Sequence, residues 1–512
     1  MVPHDTILLV TGLTGALSLL ALQVFTRRHI YQKTATAFWL TLMAGLWLVF
    51  PREGRWLLSF WSPSTILPGR LLMEMTPAVW SLGLALGLGF AGVAWVAVAD
   101  ARPALPLSGV VTLGALLTVW LALTGGTVLT VLAAWTLFDL LWGAAGLIAV
   151  GDGERVIFGW LFHGLASLIL WMVTLLLEQE GGSALWGLMV PSSSIVVLLI
   201  GAAVLRIALY PFHITFPRRL GRADPLFAVV VLGPVVGLGL LYRVLALPGE
   251  VAFPPWLMGP ALVTVLWGGV WVWRGRGSEM LLWVAYALLG LLVAGALVTR
   301  QADVLLYGTA AWWGGWTSLW LSRPRHRTTW AWSWPGWIAM LFLIGVPPSP
   351  LGVFYRSALA TQGWVRRGVL LVGGALVTGG VLAFVRRATS RASVSPPWVG
   401  QQLALGVGLA LPLGGLISGA YVEPFWIEGL FFWGAMVLLG ALAVRGVKHL
   451  RIPKRVQTAW SLLDVQWVHR ALWRGAEHLL GVVRVVADVV EGSGALLWSL
   501  LVILIVLLVR GS

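Results

Sequence analysis

The 512-residue sequence contains no cysteine. That excludes disulfides, thiolate-held metals, iron–sulfur clusters and cysteine nucleophiles, so any redox chemistry belongs to a partner and no cofactor is expected in the chain itself. Charge is scarce too, at 10% of residues, and acidic side chains are scarcest, with 19 Asp and Glu against 34 Lys and Arg. There is no phosphate-cradling glycine loop followed by Lys-Ser or Lys-Thr, and no carboxylate pair in a polar domain, so an enzyme acting alone is not expected. A basic leader is also missing. The first apolar run, Thr6 to Phe25, is followed by Arg27-Arg28 and reads as a retained span, not a cleaved signal.

What is present is apolar. Hydrophobic residues make up 59% of the chain, in runs of the roughly 20 residues that a helix needs to cross a bilayer. The fold class expected is an all-α polytopic membrane protein with about 14–16 transmembrane helices. Segments fall near 6–25, 34–50, 77–98, 107–124, 127–150, 155–177, 193–210, 225–246, 256–273, 279–299, 303–321, 336–360, 368–386, 401–420, 426–445 and 493–509. The formal net charge of +15 does not point to nucleic acid, because Lys and Arg stand in short clusters between apolar runs. Arg27, Arg28 and Lys33, then Arg218, Arg219 and Arg222, then Arg323, Arg325 and Arg327 mark alternate loops as cytoplasmic; Arg52, Arg55, Arg366 and Arg367 are exceptions. Both termini are then expected on the non-cytoplasmic side of the cytoplasmic membrane. Tryptophan is plentiful, and Trp312, Trp313, Trp330, Trp332, Trp334 and Trp337 fit an interfacial aromatic belt.

Against this background the stretch Ala202–Leu245 stands out. Arg206 ends an apolar run, Pro211 removes a backbone donor, and His213 adds a titratable ring before the run has left the bilayer. Broken backbone at that depth is tolerated only when buried in protein or lining a wet cavity. An unpaired arginine there costs roughly 2.5–3.5 kcal/mol or more, so a site is expected. A second break follows at Gly345-Val346-Pro347-Pro348-Ser349-Pro350-Leu351-Gly352, with Arg356 just beyond it. Pro347, Pro348 and Pro350 cannot all sit in regular helix.

Pro211-Phe212-His213, Pro217, Asp224-Pro225 and Gly239-Leu240-Leu241-Tyr242-Arg243 occur in an order that resembles a known family. It is the antiporter-like (proton-translocating type) subunit family shared by respiratory complex I, membrane-bound hydrogenases and Mrp cation/proton antiporters. The resemblance implies two broken helices in inverted repeats, in bundles near 107–246 and 256–386. N-terminal helices over 1–106 precede them and additional transmembrane helices over 401–445 follow. It also implies partner membrane subunits in the bilayer and ion movement through buried lysines. The sequence departs from the family at those lysines. Arg206 and Arg356 stand where lysine is usual, Val235 stands about eight residues before Arg243, and the span near 303–321 has neither lysine nor histidine. A guanidinium keeps its proton at physiological pH, so both arginines read as fixed charges, not relay stations.

By the same resemblance Asp139 takes the place of a glutamate and faces Arg206, a pairing that makes both tolerable in lipid. His163 and His213 are the remaining titratable candidates; His163 reads equally as a structural hydrogen-bonding residue, and His213 as one that shapes the loop. From Val456 to about Val490 the helical period persists, but Asp464, His469, Arg470, Arg474, Glu477, His478, Arg484 and Asp488 interrupt it too often for a span. An amphipathic helix along the membrane or a partner is expected over 456–490. The resemblance makes it a lateral helix, followed by a terminal anchor over 493–509. The function expected is a subunit of a complex I-related assembly, associated with proton or cation translocation but degenerate at its key lysines. An active translocating subunit of the same fold, and an independent transporter of an anionic substrate at Arg206 and Arg356, are the alternatives.

Overall fold

Long runs of leucine, alanine, valine and tryptophan form the helices of this chain, and proline, glycine and capping hydroxyls decide where they end. The computed structural model describes residues 4–26, 28–57, 71–150, 153–217, 221, 223–248, 253, 255–275, 278–322, 334–346, 349–354, 364–390, 399–418, 438–440, 471, 474, 475, 478 and 481. The chain divides into two compact units, Met1–Lys448 and His449–Ser512.

In the first unit the helices are α1 His4–Phe25, α2 His29–Val49, α3 Pro77–Ala99, α4 Ser108–Thr124, α5 Val128–Ala149, α6 Gly153–Gln179 and α7 Ser193–Ile207. They continue with α8 Pro225–Val231, α9 Gly233–Leu245, α10 Met258–Arg274, α11 Ser278–Thr299, α12 Ala302–Leu321, α13 Trp334–Leu343, α14 Trp364–Ser390 and α15 Val399–Ser418. An antiparallel hairpin pairs β1, Gly54–Leu57, with β2, Leu72–Met75. Seven of the described helices are long and apolar enough to cross a membrane, or eight spans if α8 and α9 count as one. Fourteen of the expected segments meet a helix or broken helix; 426–445 and 493–509 fall outside the described residues apart from 438–440. In the second unit the five described positions, among them Ala471, Arg474 and His478, are helical and exposed; the rest of the expected lateral helix lies outside the described residues.

Caps set several starts. Thr76 Oγ1 accepts from Val79 N at 3.3 Å ahead of Pro77, and Thr127 Oγ1 accepts from Thr130 N at 3.1 Å. Asp224 does the same for Leu226 N at 3.1 Å, with Pro225 as the first residue of α8. Each arrangement satisfies a donor that the helix start leaves free. α3 and α11 are buried over most of their length and are central, whereas α1 and α6 are buried over less than half and are peripheral.

Two expectations need correction. The run 225–246 reads as one span, but the structure divides it at Leu232 and bends it by 40°. Pro234 is the cause: it has no N–H for the Val230 carbonyl four residues back, and its ring crowds that carbonyl. Second, Trp312 and Trp313 do not belong to an interfacial belt, since both are completely buried in the core. Trp334 and Trp337 are exposed, as a belt requires, and Trp330 and Trp332 lie outside the described residues.

Candidate functional site

The site begins with the end of α7. Ala208 turns left-handed at φ 62, Phe212 N donates to Leu209 O at 2.6 Å, and Pro211 leads into a short 3-10 turn over Phe212–Thr215. The broken strand of backbone is not left loose: Tyr210 N donates to Thr264 Oγ1 of α10 at 2.9 Å. Gly237 of α9 lies against this end, where an added Cβ would stand 2.8 Å from Ile207 N and 3.0 Å from Ala203 O. Only glycine lets the two helices approach so closely. Arg206 occupies the last turn of α7, where the negative pole of the helix favours a cation.

Arg206 is fully buried and Asp139 of α5 is nearly so. The guanidinium grips the carboxylate with both terminal nitrogens, Nη2 on Oδ1 and Nη1 on Oδ2, the latter at 3.1 Å. This fork-on-fork geometry is the strong form of a charge-assisted hydrogen bond. Nη1 also reaches the His163 carbonyl at 3.5 Å, and Ser167 Oγ donates to Asp139 Oδ2 at 3.1 Å. His163 Nδ1 stands 3.4 Å from Asp139 Oδ1. Above the pair, Trp135 and Phe138 face the guanidinium with their ring centres 4.3 and 5.4 Å from Cζ. A desolvated cation over an indole gains about 2 kcal/mol, which offsets part of the cost of burying the charge.

The pair is tied to the α8–α9 break through one more side chain. Trp142 packs against the His163 ring, with centres 4.4 Å apart, and donates its Nε1–H to Val230 O at 2.9 Å. That is the carbonyl left without a backbone donor by Pro234. The His163 ring in turn lies over Gly233, where a Cβ would sit 3.1 Å from Cε1 and Nε2.

His213 has other neighbours. It is buried among Tyr210, Trp267, Trp283 and Tyr286, whose ring centres lie between 5.6 and 6.2 Å from its own. At the second break, α13 ends in a left-handed Gly345, φ 85, with Val346 N donating to Leu341 O at 3.0 Å. Ser349 Oγ caps Phe342 O at 2.6 Å, buried Pro350 follows, and helix resumes at Leu351. Pro347, Pro348 and Arg356 lie outside the described residues. Thus Asp139, Arg206 and His163 share one site, and His213 and Pro350 belong to different surroundings.

Sequence reasoning missed Trp135, Trp142, Ser167 and Glu74. For the first three a signal existed: Trp135, Asp139 and Trp142 recur at the spacing of one helix face, and so do His163 and Ser167. Glu74 gave none. It accepts from Arg55 Nη2 at 2.7 Å and from Arg243 Nη1 at 2.8 Å, while Arg243 Nη2 also donates to Leu123 O at 3.0 Å.

No protein-family model matches the sequence, and neither does any curated protein. Solved structures do match. A chain of the Mrp complex from Dietzia sp. DQ12-45-1b superposes with a TM-score of 0.73 at 18% identity, over 99% of this chain and 63% of that one. This chain therefore spans less than two thirds of that neighbour. A chain of respiratory complex I from Thermus thermophilus, with bound NADH, gives 0.62 at 15% identity over 86% and 99% of the two chains. One from an archaeal membrane-bound sulfane sulfur reductase, a respiratory membrane complex, gives 0.61 at 12% over 99% and 100%. Identities this low speak for fold alone. Together with the paired breaks after Arg206 and at Gly345, they show that this chain has the polytopic fold of the antiporter-like subunits.

Proposed function

We propose that the chain is an antiporter-like membrane subunit of a multisubunit assembly of the complex I, hydrogenase or Mrp kind, and that its Asp139–Arg206 pair is a fixed clamp. The observation that carries this reading is the bidentate grip of a fully buried guanidinium on Asp139, roofed by Trp135 and Phe138. A relay needs a group that gives up its proton, and arginine does not. Breaking the pair inside lipid would strand two charges. With Val235 in place of a second lysine, the first bundle retains the family's architecture without its amine stations. We place both termini outside the cytoplasm, on the loop charges.

A second reading, an active translocating subunit, draws on His163, whose Nδ1 stands within 3.4 Å of Asp139, with Ser167 alongside. An independent anion transporter is less well supported, because both Nη atoms of Arg206 are taken by Asp139. The test is transport by the full-length chain in vesicles loaded with a pH-sensitive dye. An imposed pH gradient should decay no faster than in empty vesicles. Rapid decay that Asp139→Asn abolishes would replace the clamp with the His163 relay.

A further inference from the structure

In the second half of the chain α12 packs against α11, α13 and α15 as well as α3 and α9, and it is buried throughout from Gly308 to Leu321. Beyond Asp303 in its first turn it carries no carboxylate, lysine or histidine. In their place Trp312, Trp316 and Trp320 recur every fourth residue and are all completely buried. Trp312 and Trp316 stack with ring centres 6.4 Å apart and planes 14° apart; Trp316 and Trp320 do so at 5.4 Å and 22°. Trp313 joins at 5.7 Å from Trp316 and 5.4 Å from Phe90 of α3. At a rise of about 1.5 Å per residue the column fills roughly 12 Å of the depth of the bilayer.

Among the described residues, neighbouring helices pack closely against it. Gly89 of α3 has no space for a Cβ against Trp313. A Cβ at Gly315 would meet Leu343 of α13 at 2.8 Å, and one at Gly314 would meet Leu416 N of α15 at 2.9 Å. Thr309 and Thr317 turn their hydroxyls back onto their own helix, at 2.7 Å from Leu305 O and 2.8 Å from Trp313 O. Trp312 Nε1 donates to Ala285 O of α11 at 3.1 Å, whereas the indole N–H groups of Trp313, Trp316 and Trp320 have no acceptor among the described residues. An indole only donates, so these side chains offer a water no acceptor. Thr317, four residues after Trp313 and three before Trp320, shares their face of the helix and is completely buried.

We propose that Trp312, Trp313, Trp316 and Trp320 form a dry seal that closes the second half of the chain to water and ions. It rests on packing at α12 and is independent of whether Asp139 and Arg206 relay protons.

The absence of native cysteine supplies a clean test. Thr317→Cys places a single thiol on the face of α12 that carries Trp313 and Trp320, and His29→Cys places one at an exposed position on an open cleft of about 370 Å³ lined also by Gln23, Thr26 and Gln32. The full-length variants, in membranes opened to both sides, are treated with a small charged methanethiosulfonate. Since thiol reactivity follows access to water and the thiolate, Thr317→Cys should react at least ~100-fold more slowly than His29→Cys. Adding Trp313→Ala should raise the Thr317→Cys rate at least ~10-fold and leave the His29→Cys rate unchanged, which reports an intact fold. Reaction of Thr317→Cys within about tenfold of His29→Cys, with the column intact, overturns the seal. So does a Trp313→Ala variant that keeps the His29→Cys rate and leaves Thr317→Cys as slow as before. If Trp313→Ala does not assemble, the comparison with the intact column decides.

Discussion

Arg206 and Asp139 are each other's condition for being in the membrane. Removing one partner leaves a buried charge, a loss of about 3–5 kcal/mol, whereas replacing both with apolar side chains of similar volume is often neutral or better. Asp139→Leu and Arg206→Met should therefore each lower the thermal midpoint of the purified chain sharply, and the double variant should recover most of it. Size-exclusion recovery after heating measures this. Additive losses would mean that the two side chains act separately. Arg206→Lys tests geometry instead of charge, because an ammonium cannot reproduce the two-pronged grip; it should fall between the wild type and Arg206→Met. Arg206 was legible in the sequence because an arginine in an apolar run has few alternatives to a buried partner. Asp139 was paired with it only through the family resemblance. Ser167 and Trp135 were not identified, although each shares a helix face with a residue that was.

At the scale of the helix, the sequence announced a break wherever proline came with charge or further prolines, as at Pro211 and Pro350, and hid it where proline stood alone. Pro234 lies in an unbroken apolar run, and the group that makes its break tolerable, Trp142, is 88 residues away. Periodicity within one segment cannot report a hydrogen bond from another. The arrangement is testable as a coupled pair. Trp142→Phe leaves Val230 O buried without a donor, a loss of about 1–3 kcal/mol. Pro234→Ala returns a backbone N–H to that carbonyl and straightens the helix. In the Pro234→Ala background, Trp142→Phe should then cost markedly less. Equal costs in both backgrounds, read from thermal midpoints, would show that the indole matters only for packing. Gly237→Val should disturb the same region by a different route, pushing α9 off the end of α7, with a loss of about 1–3 kcal/mol for overpacking.

For the whole molecule, hydropathy located the helices and left open which of them are central. In lipid every apolar face is acceptable, so composition alone does not separate a core helix from a peripheral one. α12 shows the difficulty: Trp312 and Trp313 suggested the interface and instead lie fully buried with Trp316 and Trp320. The outward side of α6, with Leu161, Leu165, Leu168 and Met172 exposed, poses the same question for partners, because lipid or another subunit would suit it equally. The function proposed above requires another subunit on some such face. Extraction in a mild detergent should accordingly bring this 55.3 kDa chain out in a much larger particle with other membrane proteins, and a harsher detergent should strip it to the single chain. Interfaces within lipid depend on packing and a few polar contacts, so detergent strength is the right variable to change. A chain that runs alone even under the mildest extraction, while still folded, would remove the support for a subunit. The burden would then shift to a self-sufficient transporter, whose fully engaged Arg206 would have to let go of Asp139 before any anion could bind.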